Sequence, residues 1–293
     1  MKPTMYVITG PTASGKSALA VDLARRRGTE VISADSRQIY QGIPIVTAMP
    51  TPEEREAVKH HLIDMLPLES YYSASQFEED ALKIASEVIE RNGSVVVCGG
   101  SMMYVDALCN GIDLLPTVPQ SIREGLGFEH SEKGDEWLLS ELEHLDPEYY
   151  AKVDRKNIKR VFHAVEIIRA AGKSYTELRT GEKRTRPFEI KKYKIDMPRE
   201  MLFGRINHRV DQMIEQGLEE EARRVYPQRA LNSLNTVGLK EMFAMFDGVM
   251  SREEAIGRIK KNTRVYAKKQ MTWWARDNEI IPLGWNVSPD AIL

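Results

Sequence analysis

The segment Gly10-Pro11-Thr12-Ala13-Ser14-Gly15-Lys16-Ser17 decides the fold, because it fits the pattern G-x-x-x-x-G-K-[ST] and follows the apolar run 5–9. This context predicts a strand, a glycine-bounded loop and a helix over 17–27. The two glycines permit backbone conformations in which successive N–H groups converge on one anion. Lys16 supplies a charge for phosphate oxygens and Ser17 a hydroxyl for a metal ion. The predicted phosphate-binding residues are Gly10, Thr12, Ala13, Ser14, Gly15, Lys16 and Ser17.

Composition is that of a soluble globular protein: 293 residues, of which 42% are hydrophobic and 29% are charged. The apolar run 5–9 is too short for the hydrophobic region of a signal peptide, and no stretch is long enough to cross a bilayer. Cys98 and Cys109 show neither metal-ligand spacing nor a disulfide framework. We therefore expect a cytoplasmic protein that has no membrane partner. We also expect a monomer, although composition does not bear on that expectation.

A net charge of −2 conceals two basic segments and one acidic segment. Residues 152–194 contain 14 Lys or Arg and five Asp or Glu, and residues 258–276 contain seven basic residues and no acidic residue. Residues 113–148 contain ten acidic and two basic residues. A charged segment is usually just a solvated face. Two basic segments in a phosphate-binding chain nevertheless favour an extended polyanion as partner.

The first half of the chain alternates between strand and helix patterns. Strands are predicted at 5–9, 30–33 and 94–98, and helices at 17–27, 73–91 and 101–108. The third strand is apolar throughout, which is typical of a parallel sheet covered on both faces. Asp35 follows the second strand and Ser101 follows the third, so both would lie beside the phosphate loop at the carboxyl edge. Asp35 there is a general base, a metal partner or simply a helix cap.

Later segments predict a helical insertion followed by two long helices. Prolines 116 and 119 and the glycines at 125–127 indicate a break, after which helices are predicted at 135–144, 147–153 and 157–171. The sequence therefore predicts an α/β core of residues 1–116 and 191–293, with a helical insertion at 117–190.

A long helix is predicted at 199–226, on which Arg205 and Arg209, four residues apart, share one face. If that face meets the phosphate site, the two arginines would clamp an anion. The helix predicted at 251–275 carries Arg264 and Lys268 beside aromatic residues. Cations interleaved with aromatics suit a nucleic-acid backbone and unstacked bases. The alternative is that the aromatic residues lie in the core and the lysines in solvent.

Taken in order, these segments resemble the tRNA dimethylallyltransferases over nearly the whole chain. The matching motifs are GPTASGKS at 10–17, SADSRQIY at 33–40, HHLID at 60–64, YSASQFEEDA at 72–81, GGSMMY at 99–104, RI-x-x-RV-x-x-M at 205–213, VGLKE at 237–241 and TRVYAKKQMTWW at 263–274. The phosphate loop alone is generic, whereas the ordered set is specific.

The resemblance implies a P-loop NTPase-like doubly wound parallel sheet with a tRNA-binding helical insertion. It implies transfer of a dimethylallyl group from dimethylallyl diphosphate to N6 of the adenosine 3′ of the anticodon, position 37, with release of diphosphate and with Mg²⁺ as cofactor. Asp35 matches the general base, and Ser101 stands where most members have a threonine that contacts the adenine. Arg209 matches the arginine that holds the diphosphate, and Ser17 is the metal contact.

The partner implied is the tRNA anticodon stem-loop. The residues predicted to contact it are Asp35, Ser36, Arg37, Gln38, Ser101, Arg123, Asn157, Lys159, Arg160, Arg264 and Lys268. Three positions depart from the family pattern: Met49 replaces a lysine, the segment around Asn157 differs from H-P-N-D-x-x-R, and Leu239 replaces a tyrosine. These departures affect tRNA specificity more than the type of reaction.

Three other functions remain open from the sequence. A small-molecule kinase would use the same loop for ATP, but this hypothesis leaves both basic segments without a purpose. A relative that acts on free adenosine phosphates is disfavoured by the insertion and the last helix. A non-catalytic RNA-binding module is disfavoured by the presence of both Asp35 and Lys16.

Overall fold

The computed structural model describes residues 2–113 and 115–292, and the chain forms two compact units. The larger unit comprises Met1–Cys109 and Thr185–Leu293, and the smaller comprises Asn110–Arg184. The sequence-based limits of the helical insertion, 117–190, lie several residues further along the chain at both ends. The smaller unit begins and ends at one point, because Arg184 N donates to Asn110 O at 2.7 Å.

The larger unit is built on one parallel sheet. Its strands are β1 (Thr4–Thr9), β2 (Val31–Ser33), β3 (His60–His61), β4 (Ser94–Cys98), β5 (Glu189–Asp196) and β6 (Ile281–Gly284). They follow the order β3-β2-β4-β1-β5-β6, and each neighbouring pair is parallel. The chain leaves β1 toward one side of the sheet and later returns to β5 on the other side. This confirms the predicted P-loop NTPase-like parallel sheet, and ligands bind at the carboxyl edge of such a sheet.

Helices of the larger unit cover both faces of its sheet. The helices of both units are numbered together along the chain. In chain order they are α1 (Lys16–Arg27), α2 (Pro44–Thr47), α3 (Pro52–Ala57), α4 (Ala74–Asn92), α5 (Met102–Asn110), α6 (Gln120–Leu145), α7 (Pro147–Lys152), α8 (Ile158–Ala171), α9 (Tyr175–Leu178), α10 (Arg199–Glu215), α11 (Leu218–Val225), α12 (Leu239–Phe246) and α13 (Arg252–Trp274). Side chains alternate along β1. Met5 therefore packs in one core with Phe77 of α4 and Trp274 of α13, whereas Tyr6 packs in another with Leu23 of α1.

The smaller unit contains α6 to α9 around its own apolar core. Leu126, Leu138 and Val161 in that core are fully buried. The break predicted at the glycines 125–127 is wrong, because both glycines lie inside α6, where burial of Leu126 outweighs the low helix propensity of glycine. The interruption falls instead at Gly134, whose φ of 80° and ψ of −177° kink the helix.

The single helix predicted at 199–226 is also wrong, since two helices occupy this region. Gly217 adopts a left-handed conformation with φ of 95° and separates α10 from α11. The turn allows Leu218 and Val225 of α11 to enter a third core that includes Val210 of α10.

Strand β6 and helix α12 were not predicted from the sequence. Three of the four β6 residues are exposed, so its pattern carries no alternation.

A buried carboxylate ties α11 to the short helix α2. Glu221 is 1% exposed, and its two oxygens accept hydrogen bonds from Ile45 N and Val46 N, each at 2.8 Å. Burial raises the pKa of Glu221, while the two backbone bonds and the charge of Arg224 oppose that rise. The carboxylate therefore satisfies two N–H groups at the start of α2, where the helix macrodipole favours negative charge.

We expect Glu221→Ala to lower the free energy of unfolding by about 2 kcal/mol, because it leaves two backbone donors of α2 without their acceptor. Thermal unfolding followed by circular dichroism measures the loss. Glu220→Ala is the matched control on the same helix; this side chain is exposed, so its effect should stay within about 0.5 kcal/mol. Equal effects of the two substitutions would contradict the anchoring role of Glu221.

Candidate active site

The phosphate loop between β1 and α1 has the backbone geometry of an anion-binding turn. Gly10, Ala13 and Gly15 adopt φ values of 146°, 64° and 96°. A Cβ on Gly10 would lie 3.1 Å from Ser14 Oγ and 3.3 Å from Ile195 N, so only glycine fits there without a shift. Gly15 is the N-cap of α1 and has no side chain to cap it. The first N–H groups of α1 are thereby left facing the loop, where they are suited to bind an anion.

Two cations lie close to this loop in a desolvated environment. Burial lowers the pKa of Lys16, with the charge of Arg209 lowering it further while Cys98 and Asp35 raise it. Burial likewise lowers the pKa of Arg209, against the opposing effect of Asp35. Burial also raises the pKa of the Cys98 thiol to about 11, so this thiol is neutral at pH 7 and cannot balance the cations. A bound anion would offset this desolvation, which makes the pair a strong candidate phosphate site.

A third cation also approaches the loop. Arg205 Nη2 lies 3.6 Å from the position that a Cβ on Gly15 would take. Arg205 and Arg209 are four residues apart on α10, so they share one face of that helix. Of these two arginines, only Arg209 is given a role by the family resemblance.

Asp35 and Ser101 meet at the carboxyl ends of β2 and β4. Ser101 Oγ accepts a hydrogen bond from Ser36 N at 2.8 Å and lies 3.2 Å from Ser36 Oγ. Asp35 Oδ1 accepts from Arg37 N at 2.9 Å, which holds the carboxylate in a tight turn. The two strands come this close because residue 99 is glycine: a Cβ there would lie 2.1 Å from Ala34 O.

Arg37 and Gln38 use their side chains to hold the wall of the site together. Arg37 Nη1 donates to the carbonyl oxygens of Asn232 and Ser233 at 2.8 and 3.1 Å. Gln38 Nε2 donates to the carbonyls of Thr47 and Ala48 at 3.1 Å each, and Gln38 Oε1 accepts from the Ser33 hydroxyl. Both residues were predicted to contact tRNA; in the structure they also fix loops around the cleft.

One cleft of about 630 Å³ joins these groups. Its lining includes Thr12, Lys16, Ser17, Asp35, Ser36, Arg37, Gln38, Ser101 and Arg209 from the predicted site. It also includes side chains that sequence reasoning did not single out, among them Lys240, Asn262, Tyr266, Lys269 and Gln270. Burial raises the pKa of Tyr266 to about 12, with Asp35 raising it and Arg37 lowering it, so its phenol remains a hydrogen-bond donor at neutral pH. Spacing within the motif TRVYAKKQMTWW was the available signal, but helical periodicity alone did not say which side faces the cleft.

Arg264 and Lys268 lie on a different side of α13. Arg264 Nη1 donates to Asn207 Oδ1 at 2.5 Å, and both cations lie over the ring of Phe203, at 6.0 and 5.4 Å. Lys269, the next residue, lines the cleft instead. A tRNA contact by Arg264 and Lys268 stays a prediction.

The remaining predicted tRNA contacts belong to the smaller unit. Arg123 Nε donates to Glu166 Oε2 at 2.9 Å, and Asn157 caps α8 by accepting from Arg160 N at 3.2 Å. Lys159 and Arg160 are exposed in the first turn of α8. Their roles stay predictions.

Of the departures from the family pattern, Met49 is buried and Leu239 is fully buried in the third core, so both have packing roles in the larger unit.

A parallel sheet that brings a phosphate loop, a cationic cluster and a carboxylate to one edge defines an enzyme of the P-loop fold class. A family model described as IPP transferase matches residues 38–277, and the chain belongs to this family. The family predicted from the sequence is therefore confirmed.

Relatives described as tRNA dimethylallyltransferases match most of the chain. It is 51% identical over 277 residues to tRNA dimethylallyltransferase 2 of Parabacteroides distasonis, covering 94% of this chain and 93% of the relative. It is 44% identical to the tRNA dimethylallyltransferase of Cytophaga hutchinsonii, covering 94% and 91%.

Solved structures agree with this assignment. The full-length tRNA isopentenylpyrophosphate transferase of Bacillus halodurans has a TM-score of 0.72 and 35% identity, covering 99% of this chain and 93% of that chain. A eukaryotic dimethylallyltransferase acting on tRNA has a TM-score of 0.81 and 26% identity, covering 96% and 74%.

Among the described helices, none is long and apolar enough to cross a membrane.

We expect Lys16→Met to weaken binding of inorganic pyrophosphate about tenfold or more, because it removes a desolvated cation from the loop. Isothermal titration calorimetry measures the dissociation constant. Lys83→Met removes an exposed lysine from α4 and is the matched control, for which no change is expected. Equal affinities of the Lys16→Met variant and the unsubstituted protein would contradict a phosphate role for this loop.

Proposed function

We propose that this protein is a tRNA dimethylallyltransferase that transfers a dimethylallyl group from dimethylallyl diphosphate to N6 of adenosine 37 in tRNA. The observation that carries the proposal is the single cleft in which the phosphate loop, Lys16 and Arg209 share space with Asp35 and Ser101. The relatives named above are described as tRNA dimethylallyltransferases. A cytoplasmic location and a monomeric state belong to the proposal and rest on the sequence.

The donor end of the reaction is proposed to lie at the phosphate loop. N6 attacks C1 of the dimethylallyl group while the C1–O bond breaks, and the bonding electrons leave with the diphosphate. Most of the catalytic demand is therefore stabilisation of negative charge that grows on the leaving oxygen. The N–H groups at the start of α1, together with Lys16 and Arg209, meet that demand from a desolvated position.

The acceptor end is proposed to lie at Asp35 and Ser101. An exocyclic amine conjugated with a purine ring is a weak nucleophile, so a carboxylate within hydrogen-bond reach assists as positive charge develops on N6. Asp35 takes the N6 proton, and the Ser101 hydroxyl, oriented by Ser36 N, contacts the adenine. The adenine must leave its stack to enter the cleft, which costs a few kcal/mol.

Contacts with the anticodon arm are proposed to offset that cost. Lys159 and Arg160 are exposed and lie in the basic segment 152–194. In the larger unit, Lys240 and Lys269 at the cleft add cations that can approach the RNA backbone. Phosphate contacts of this kind position an RNA without reading its sequence.

The protein side chains of this site hold a Mg²⁺ ion only if the substrate diphosphate supplies further ligands. The described residues contain no group of three or more His, Cys, Asp or Glu side chains able to hold a metal. Ser17 and Asp35 both line the cleft, and Mg²⁺ is commonly held by few protein ligands together with substrate phosphates and waters. The ion is proposed to bind the Ser17 hydroxyl and the diphosphate, where it would neutralise charge on the leaving group.

The reaction can be tested directly against its rivals. Purified protein is incubated with dimethylallyl diphosphate carrying a labelled isoprenoid, or with γ-labelled ATP, and each donor is paired with bulk tRNA or AMP. Label entering tRNA from the isoprenoid donor supports the proposal. Isoprenoid label entering AMP favours an enzyme of free adenosine phosphates, and phosphoryl transfer from ATP favours a kinase. Binding of tRNA without transfer from either donor favours an RNA-binding module.

We expect Asp35→Asn to lower kcat for dimethylallyl transfer about 10²- to 10⁴-fold, the usual contribution of a general base. Asparagine keeps the acceptor for Arg37 N, so the turn should persist and tRNA affinity should stay nearly unchanged. Single-turnover kinetics and filter binding measure the two quantities. Asp64→Asn, in a loop outside the cleft lining, is the control. A loss of tRNA binding as large as the loss of rate would contradict the role of base.

A further inference from the structure

Gln270 of α13 joins two neighbouring loops of the cleft, the phosphate loop and the turn before Ser101. Its side chain is among the most deeply buried polar groups of the larger unit, at 2% exposure. Gln270 Oε1 accepts a hydrogen bond from Thr12 N at 2.9 Å, in the phosphate loop. Gln270 Nε2 donates to Gly100 O at 2.8 Å, in the turn that immediately precedes Ser101. One neutral amide thus satisfies a donor of one loop and an acceptor of the other.

The missing side chain of Gly100 makes room for this amide. A Cβ on Gly100 would lie 2.3 Å from Gln270 Nε2, far inside the closest approach of real atoms. Gly100 does not have a positive φ, so the need for glycine at this position comes from the glutamine and not from backbone conformation. The amide is also uncharged, so it does not alter the electrostatic potential that Lys16 and Arg209 create in the cleft. Burial lowers the pKa of both cations.

We infer that Gln270 is a positioning residue that fixes the distance between the phosphate loop and the Ser101 turn, and hence between the leaving diphosphate and the attacking adenine. The inference rests on the proposed function. It also implies that Thr12 N does not serve the diphosphate, because the amide of Gln270 occupies this donor. Ser14 N is likewise occupied, since it donates to Pro11 O at 3.2 Å, so the anion-binding donors of the loop are then Ala13 N and the N–H groups from Gly15 onward.

Loss of the two Gln270 hydrogen bonds would affect the rate through the alignment of the diphosphate with the adenine. A displacement of about 1 Å between reacting groups can lower a rate about 10²-fold without changing binding. The isosteric substitution Gln270→Met removes both hydrogen bonds and retains most of the side-chain volume. We expect it to lower kcat about 10- to 100-fold, while the KM values for dimethylallyl diphosphate and for tRNA change less than about threefold.

Gln212→Met is the control for the glutamine substitution, since Gln212 is an exposed residue of α10. It should leave kcat unchanged. A residue that served only stability would lower the thermal unfolding temperature and leave kcat per folded molecule intact. That result for Gln270→Met would overturn the inference.

Gly100→Ala provides an independent test, because it displaces the amide without removing it. We expect Gly100→Ala to lower kcat strongly in the otherwise unsubstituted protein, since its Cβ would collide with Gln270 Nε2. In a Gln270→Ala background the collision is absent, so adding Gly100→Ala should change kcat by less than about twofold. Additive effects in this double-mutant cycle would overturn the inference.

Failure of this inference is distinguishable from failure of the proposed function. If the unsubstituted protein transfers no dimethylallyl group to tRNA, the proposed function is wrong. If it transfers the group and Gln270→Met or Gly100→Ala transfers it equally fast, the positioning role is wrong. A Gln270→Met variant that does not fold, combined with full activity of Gly100→Ala, also overturns the role.

Discussion

The cleft depends on keeping two partly buried cations charged. Lys16 and Arg209 come from elements far apart in the sequence, and burial lowers the pKa of each. Their mutual repulsion and desolvation are costs that the folded protein bears before any substrate arrives. The left-handed backbone at Ala13 adds to these costs, since an alanine in this region is strained. Such costs persist at functional sites because the surrounding fold over-determines them.

The parallel sheet allows these groups to converge. The strands β1, β2 and β4 point in the same direction, so the loops after Thr9, Ser33 and Cys98 lie at one edge. The close contact of Gly99 with Ala34 draws the last two of these loops together. The remaining wall comes from α10 and α13, which are recruited from the C-terminal part of the chain. The site is therefore assembled from five separate regions of the chain.

Local signals explain why much of this arrangement could be predicted from the sequence. The glycine pattern of the phosphate loop, the apolar strand at 94–98 and the positions of Asp35 and Ser101 after strands are all short-range features, and each is found where it was expected. The errors have tertiary causes. Helix α6 continues through Gly125 and Gly127 because Leu126 between them is buried in a core. Helix α10 ends before the predicted end because Gly217 adopts a left-handed conformation. The bonds of Gln270 span 258 and 170 residues, and no local pattern encodes a bond of that kind.

The smaller unit enters and leaves the fold at one point, where Arg184 and Asn110 share a backbone hydrogen bond. Because the two ends of the segment lie next to each other, its length does not change the distance that the chain must cover between α5 and β5. The parallel pairing of β1 with β5 therefore does not depend on the length of the segment. Loop-closure entropy grows only with the logarithm of length, so even a large change there is thermodynamically inexpensive. The segment can thus vary in length and sequence while the carboxyl edge of the sheet keeps its geometry.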